Sequence, residues 1–195
     1  QLLMAGVTSV RDLAVTTDDV MRVREQINSG EIPGPTIYTS GAALSPTTGP
    51  TRPHIQGVDG AIDAAEKTRA LIAAGADIIK ILGAGDENSQ DEVDAIVATA
   101  HAAGLRVTAH GRSDAELRIA LKAGVDEIQH IGSGGSEYPQ DIIDTIRERI
   151  NGGTPLYWNP TIGLDLNANA LAADSEFLED PKNFLGLSLE IEEDV

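Results

Sequence analysis

Ala103-Gly104-Leu105-Arg106-Val107-Thr108-Ala109-His110 and Ala123-Gly124-Val125-Asp126-Glu127-Ile128-Gln129-His130 decide the reading of the fold. Each opens on Ala-Gly, and glycine there supplies the left-handed residue that ends a helix. Each then runs through a short apolar strand and stops on a histidine. The same unit recurs as Ala5-Gly6-Val7-Thr8-Ser9-Val10-Arg11, Ala74-Gly75-Ala76-Asp77-Ile78-Ile79-Lys80 and Gly152-Gly153-Thr154-Pro155-Leu156-Tyr157-Trp158. Helical patterns fill the gaps at roughly 17–29, 59–74, 90–103, 113–123 and 139–150, and an acidic helical tail follows about Asn167. Ser113 with Glu116 forms a capping box, and Asp59 and Ser89 suit N-caps. Thr36 to Ser40 adds a sixth strand after Gly34-Pro35. Alternation at this pitch predicts α/β architecture from parallel βαβ units.

Two architectures accept that order, an open doubly wound sheet and a closed (β/α)8 barrel. The first strand–helix turn, Arg11-Asp12-Leu13-Ala14, has no glycine-rich phosphate fingerprint, which disfavours a dinucleotide-binding sheet. A full barrel takes about 250 residues. Six strands in 195 residues match its pitch and stop two units short, so the expectation is a partial (β/α)8 TIM barrel forming one incomplete domain over residues 1–195. Ser45 to Pro53 reads as a long loop on the face where barrels keep their active sites.

Composition narrows the function. With 14 Lys+Arg against 31 Asp+Glu the formal charge is −17, which argues against nucleic-acid or anionic-membrane partners, since these need a basic footprint. The chain has no cysteine, so thiol catalysis, disulfides and cysteinyl metal sites are excluded, and any metal must sit chiefly on His and carboxylates. The most apolar stretch, Ala70 to Leu82, is too short and too interrupted to span a bilayer. The opening residues Gln1 to Gly6 show neither the positive n-region nor the small-residue cleavage site of a signal peptide, and a cytoplasmic location is the expectation.

In a barrel the C-terminal strand ends face the reaction site. In order they are Arg11/Asp12, Ser40/Gly41, Lys80, His110, His130 and Asn159/Thr161. Imidazoles from adjacent strand ends can converge on a hydrolytic metal while leaving positions for water and substrate. Each residue also has a plainer reading. A lone strand histidine is more often a hydrogen-bonded core residue, and Lys80 can reach the barrel mouth or pair with Asp12 or Asp86. An unpaired ammonium in Ile78-Ile79-Lys80-Ile81-Leu82 would otherwise be expensive to bury.

The strand units from Ala5 to Leu13, with Ser40-Gly41-Ala42-Ala43-Leu44-Ser45, Gly75 to Ile81, Val107 to His110, Glu127 to Gly132 and Asn159-Pro160-Thr161, resemble the amidohydrolase superfamily. The resemblance is to its imidazolonepropionase-like and Xaa-Pro dipeptidase-like branch, and it covers strands two to seven of that barrel. It implies a metal-dependent hydrolase of amide bonds in small molecules or dipeptides, using one or two zinc ions or another divalent metal. By this resemblance Lys80 matches the lysine carboxylated by carbon dioxide, whose carbamate bridges two ions, and His110 and His130 match the histidines of the second ion. The metal would lower the pKa of a bridging water toward 7 to give hydroxide.

The departures are as informative. The superfamily carries a His-x-His pair on strand one and an aspartate ligand and base on strand eight, and neither is found; the four histidines are His54, His101, His110 and His130. The expectation is a fragment, inactive alone, that forms a homo-oligomer or associates with the missing part of the barrel. Arg112 is a candidate for holding a substrate carboxylate, against the plainer reading of an ion pair with Asp114 or Glu116. His54, in the long loop, is a second candidate substrate contact. His101 reads as structural, and Gly132 to Ser136 reads as either a phosphate nest or an active-site loop. The acidic surface could steer cationic substrates, but reads first as solvation. Two alternatives remain: a barrel lyase or aldolase using Lys80 as a Schiff base, and a non-catalytic structural fragment.

Overall fold

The computed structural model describes residues 1–46, 52–83, 89–130 and 138–159, all within one compact unit, Gln1–Asn159. A 3-10 turn at Leu3–Ala5 leads into β1 (Ser9–Asp12), α1 (Thr17–Asn28), β2 (Thr36–Thr39), β3 (Ala43–Pro46), β4 (Ile55–Val58), α2 (Gly60–Ala73) and β5 (Ile78–Ile81). The chain continues through α3 (Gln90–Ala102), β6 (Arg106–His110), α4 (Asp114–Ala123), β7 (Glu127–Gln129), α5 (Gln140–Asn151) and β8 (Tyr157–Asn159). All named strand pairs are parallel: β1 with β2, and a six-stranded sheet ordered β4-β3-β5-β6-β7-β8. No helix among the described residues is long and apolar enough to cross a membrane.

The repeated Ala-Gly unit has one physical basis. Gly75, Gly104, Gly124 and Gly153 all have φ between +76° and +95°. Each closes a Schellman motif: the residue after the glycine donates to the carbonyl five positions back (Ala76 to Leu71, Leu105 to Ala100, Val125 to Ala120, Thr154 to Arg149). Where aspartate follows, it fixes the strand start. The Asp77 N–H donates to the Thr39 carbonyl at 2.8 Å, and its Oδ2 accepts the Thr39 N–H at 2.9 Å. Asp126 repeats this against Val107, at 2.9 and 2.7 Å. Arg24 Nη1 and His101 Nε2 hold the two carboxylates from the helix layer, at 3.0 and 2.9 Å.

Two elements depart from expectation. β3 and β4 lie in and beside the stretch expected to be a loop, so the described strands number eight rather than six. Ser45 and Pro46 end β3, and the antiparallel bridge between Arg52 and Ile55 leads into β4. β2 and β3 follow one path interrupted at Gly41, whose φ of +61° and packing against Thr17 Oγ1 both exclude a side chain. The expected tail after Asn167, the Gly132 to Ser136 loop and Asp86 lie outside the described residues.

The sheet is rolled. From β1 to β7 there are four strand steps, which in a flat sheet separate the two by about 19 Å. Yet Arg11 on β1 makes a bidentate ion pair with Glu127 on β7, Nη1 to Oε2 at 2.6 Å and Nη2 to Oε1 at 2.5 Å. Only curvature brings those strands face to face across an interior. Apolar side chains of alternate strand positions fill the outer layer under the helices, among them Ile79, Ile81, Val107, Ala109 and Ile128, all nearly fully buried.

Arg11→Ala strands the buried Glu127 carboxylate and is expected to cost about 2 kcal/mol, discounted because Arg11 is one-third exposed. Adding Glu127→Leu in the same chain should recover part of that loss. Urea unfolding of the single and double variants checks both outcomes.

Candidate metal centre

Strand alternation positions the first two members of the site. On β6, Thr108 and His110 share a face, and on β5 Lys80 lies between the outward Ile79 and Ile81. Lys80 is in register with Thr108, and His110 with Gln129. Lys80 Nζ reaches forward along the barrel to His110 Nδ1, at 3.1 Å. Both residues are buried, Lys80 to 2% exposure.

His130 reaches the site differently. On β7, Glu127 and Gln129 point inward, bonded to each other at 2.6 Å, and Gln129 also donates to Thr108 Oγ1 at 3.1 Å. Continued alternation would send His130 outward with Ile128. Instead His130 has φ of +62°, a left-handed conformation uncommon for a residue with a side chain, and its ring lies 4.6 Å from that of His110. Its N–H donates to the Asn159 carbonyl at 3.2 Å, tying the turn to β8.

Arg112 joins the same cluster. Its Nη2 lies 3.0 Å from His110 Nε2, and its N–H donates to Glu116 at 2.6 Å. The expected ion pair of its guanidinium with Asp114 or Glu116 is not formed among the described residues. The capping box is shifted accordingly: Ser113 Oγ accepts the Glu116 N–H, while the Glu116 carboxylate serves Arg112 rather than Ser113. His54 is not brought in. It precedes β4, its carbonyl accepts the Ala43 N–H, and no side-chain hydrogen bond or ring contact joins it to Lys80, His110 or His130 among the described residues.

Lone pairs fix the protonation of the cluster. Arginine only donates, so His110 Nε2 accepts, and a neutral ring then carries its proton on Nδ1. That N–H faces Lys80 Nζ, which can accept it only as a neutral amine. Burial, followed by the charges of Lys80, Arg112 and His130, pushes His110 down to about 2. Burial, then Arg112, pushes Lys80 down to about 7 against the smaller opposing pull of Glu127 and Glu116. The site therefore presents a neutral histidine and a lysine amine that loses its proton near neutrality.

A family model described as "Amidohydrolase family" matches residues 1–179. The chain belongs to the amidohydrolase family. Among curated proteins it is similar to ochratoxinase of Aspergillus niger, 31% identical over 70% of this chain and 35% of that protein. The chain thus spans about a third of the length of this curated relative. Among solved structures it resembles the A. niger ochratoxinase (TM-score 0.70, 27% identity, 88% of this chain and 45% of that one). It also resembles a putative prolidase from Bifidobacterium longum (TM-score 0.69, 30% identity, 95% and 48%). A third is a Xaa-Pro dipeptidase with bound methionine in its active site (TM-score 0.62, 29% identity, 81% and 43%). The partial (β/α)8 architecture is that of these amidohydrolase barrels.

This family implies a divalent metal, and the residues present fit one in part. Two imidazoles from neighbouring strand ends face each other beside a lysine amine. Among the described residues no group of three or more His, Asp or Glu is gathered for a cation. Residue spacing alone missed the carboxylate and amide floor beneath the site, in which Arg11 holds Glu127, Gln129 bonds Glu127 and Thr108, and Asn159 donates to Gln129 at 2.9 Å. The alternation of Glu127 and Gln129 on one strand was its available signal.

Lys80→Met gives a signed pH test. Between about pH 7 and pH 10.5 the unfolded lysine holds a proton that the folded one has lost, so this group adds stability as pH rises through that window. Below pH 7 both states are protonated and the full burial penalty remains. In bicarbonate-free buffer the variant should exceed the parent in urea-unfolding stability at neutral pH, and its advantage should shrink toward pH 10.5.

Proposed function

We propose that this chain carries the lysine–histidine half of a metal-dependent amidohydrolase centre, with Lys80, His110 and His130 as ligands of a divalent cation, zinc by preference. The observation that carries the reading is the meeting of a buried, readily deprotonated Lys80 with His110, whose ring His130 reaches through a strained backbone. A neutral amine is the form that takes up carbon dioxide, and carboxylation would turn Lys80 from an ammonium into an anionic oxygen donor suited to zinc. Bound there, a divalent cation supplies Lewis-acid polarisation of a carbonyl and acidification of water.

The chain's own residues do the positioning. His110 and His130 present rings from β6 and the end of β7, and the Glu127–Gln129–Thr108 bonds hold those strands in register beneath them. Arg112, at the rim, is suited to a substrate carboxylate, which favours a dipeptide or an N-acylated amino acid. His54 would serve as a substrate contact only if the segment before β4 approaches the rim. No two of the four histidines are separated by a single residue, so these 195 residues supply ligands for one cation rather than two. Alone they are expected to hydrolyse amides poorly or not at all, and to act together with a second copy or with further barrel segments.

The lowered Lys80 pKa also suits a Schiff-base nucleophile, and one experiment separates the readings. Intact mass after equilibration with bicarbonate and zinc should show an adduct of about 44 Da, the mass of carbon dioxide, on the parent and none on Lys80→Met. Elemental analysis should give about one zinc per parent chain and little on His110→Ala/His130→Ala. Trapping by borohydride with a carbonyl substrate, and no stoichiometric zinc, would replace the hydrolase reading with the lyase.

A further inference from the structure

The centre described above holds one contact that a metal ligand cannot keep. A neutral imidazole has a single lone pair, and on His110 that lone pair, at Nε2, accepts from Arg112 Nη2 at 3.0 Å. A cation bound at Nε2 would occupy the place of the guanidinium. A cation bound at Nδ1 would move the ring proton to Nε2, aiming an N–H at a group that can only donate. Whichever nitrogen binds the metal, the Arg112 contact and coordination are mutually exclusive.

We propose that Arg112 competes with the divalent cation for His110 and so sets the affinity of the centre. This rests on the metal-centre reading and adds to it an internal cation that must leave before an external one binds. The local chain is built for both positions. Gly111 lets the strand turn closely between the two residues: a Cβ there would lie 2.5 Å from Ile128 and 2.7 Å from Leu117. Arg112 is exposed and its backbone is anchored by Glu116, yet no carboxylate among the described residues holds the guanidinium in an ion pair. The side chain can therefore swing away at the cost of one charge-assisted hydrogen bond.

The test uses the full chain and zinc alone, titrated against a chromophoric chelator, with Arg112→Ala and Arg112→Met beside the parent. Urea unfolding confirms that each variant is folded. Both variants should bind zinc about tenfold more tightly, the equivalent of one such hydrogen bond. Without added zinc, ring 15N shifts of His110 should report the Nδ1–H tautomer in the parent, and this bias should be lost in Arg112→Ala. That readout would not move if the arginine acted through charge alone. Equal or weaker zinc affinity in both folded variants, or an Nε2–H tautomer in the parent, overturns the competition and leaves the metal centre standing. Zinc uptake by none of the three, or uptake that survives His110→Ala, overturns the centre and the competition together.

Discussion

The ion pair between Arg11 and Glu127 is the interaction on which the rest of this molecule depends. Parallel strands joined by helices can spread as an open sheet or roll, and local propensity does not choose between them. A carboxylate buried on β7 needs a partner, and the one it has comes from β1, four strands away. Satisfying that charge fixes the curvature. Curvature in turn brings Lys80, Thr108, Glu127 and Gln129 onto one concave face, so the floor of the site and the closure of the sheet share the same residues.

Above this floor the chemistry follows from a shortage of acceptors. Lys80, His110 and Arg112 meet as three nitrogen groups with no carboxylate bonded to any of their nitrogen-bearing side-chain ends among the described residues. The cluster resolves the conflict by giving up charge: His110 is neutral, Lys80 releases its proton near pH 7, and only the guanidinium at the rim stays cationic. A neutral amine and a neutral imidazole held side by side are reactive toward electrophiles and cations alike. The amidohydrolase family supplies the context in which that reactivity has a use.

Much of this was legible in the sequence because it is written in local rules. Glycine at helix ends has one conformational reason to be there, and each of the Schellman motifs fell on an Ala-Gly or Gly-Gly pair visible by eye. Lys80, His110 and Arg112 lie where alternation and strand-end position put them. What was not legible depends on non-local geometry. β3 and β4 are too short and too rich in Pro, Gly and Ser to announce themselves, and exist because β3 has β5 to pair with. His54 falls in the stretch read as a long loop, and the pairing of its carbonyl with the Ala43 N–H is a non-local contact that its place in the sequence does not show. The turn of His130 into the site contradicts alternation, and no residue pattern encodes a left-handed histidine. The guanidinium on His110 is a contact between neighbours in sequence whose direction only the fold determines.

The two aspartates that start β5 and β7 have a consequence for how this scaffold tolerates change. Asp77 immediately precedes β5 and Lys80 lies one residue before its far end, while Asp126 and His130 flank β7 on either side. The carboxylate end holds the strand against its neighbour and the helix layer, while the other end carries the reactive nitrogens. Two positions, Ile78 and Ile79, separate anchor from amine on β5, and three, Glu127, Ile128 and Gln129, separate anchor from imidazole on β7. A lineage can rewrite the upper rim, exchanging one substrate for another, without loosening the ring of anchored strand starts below. The same separation gives a protein engineer a clear division between residues to diversify and residues to leave alone.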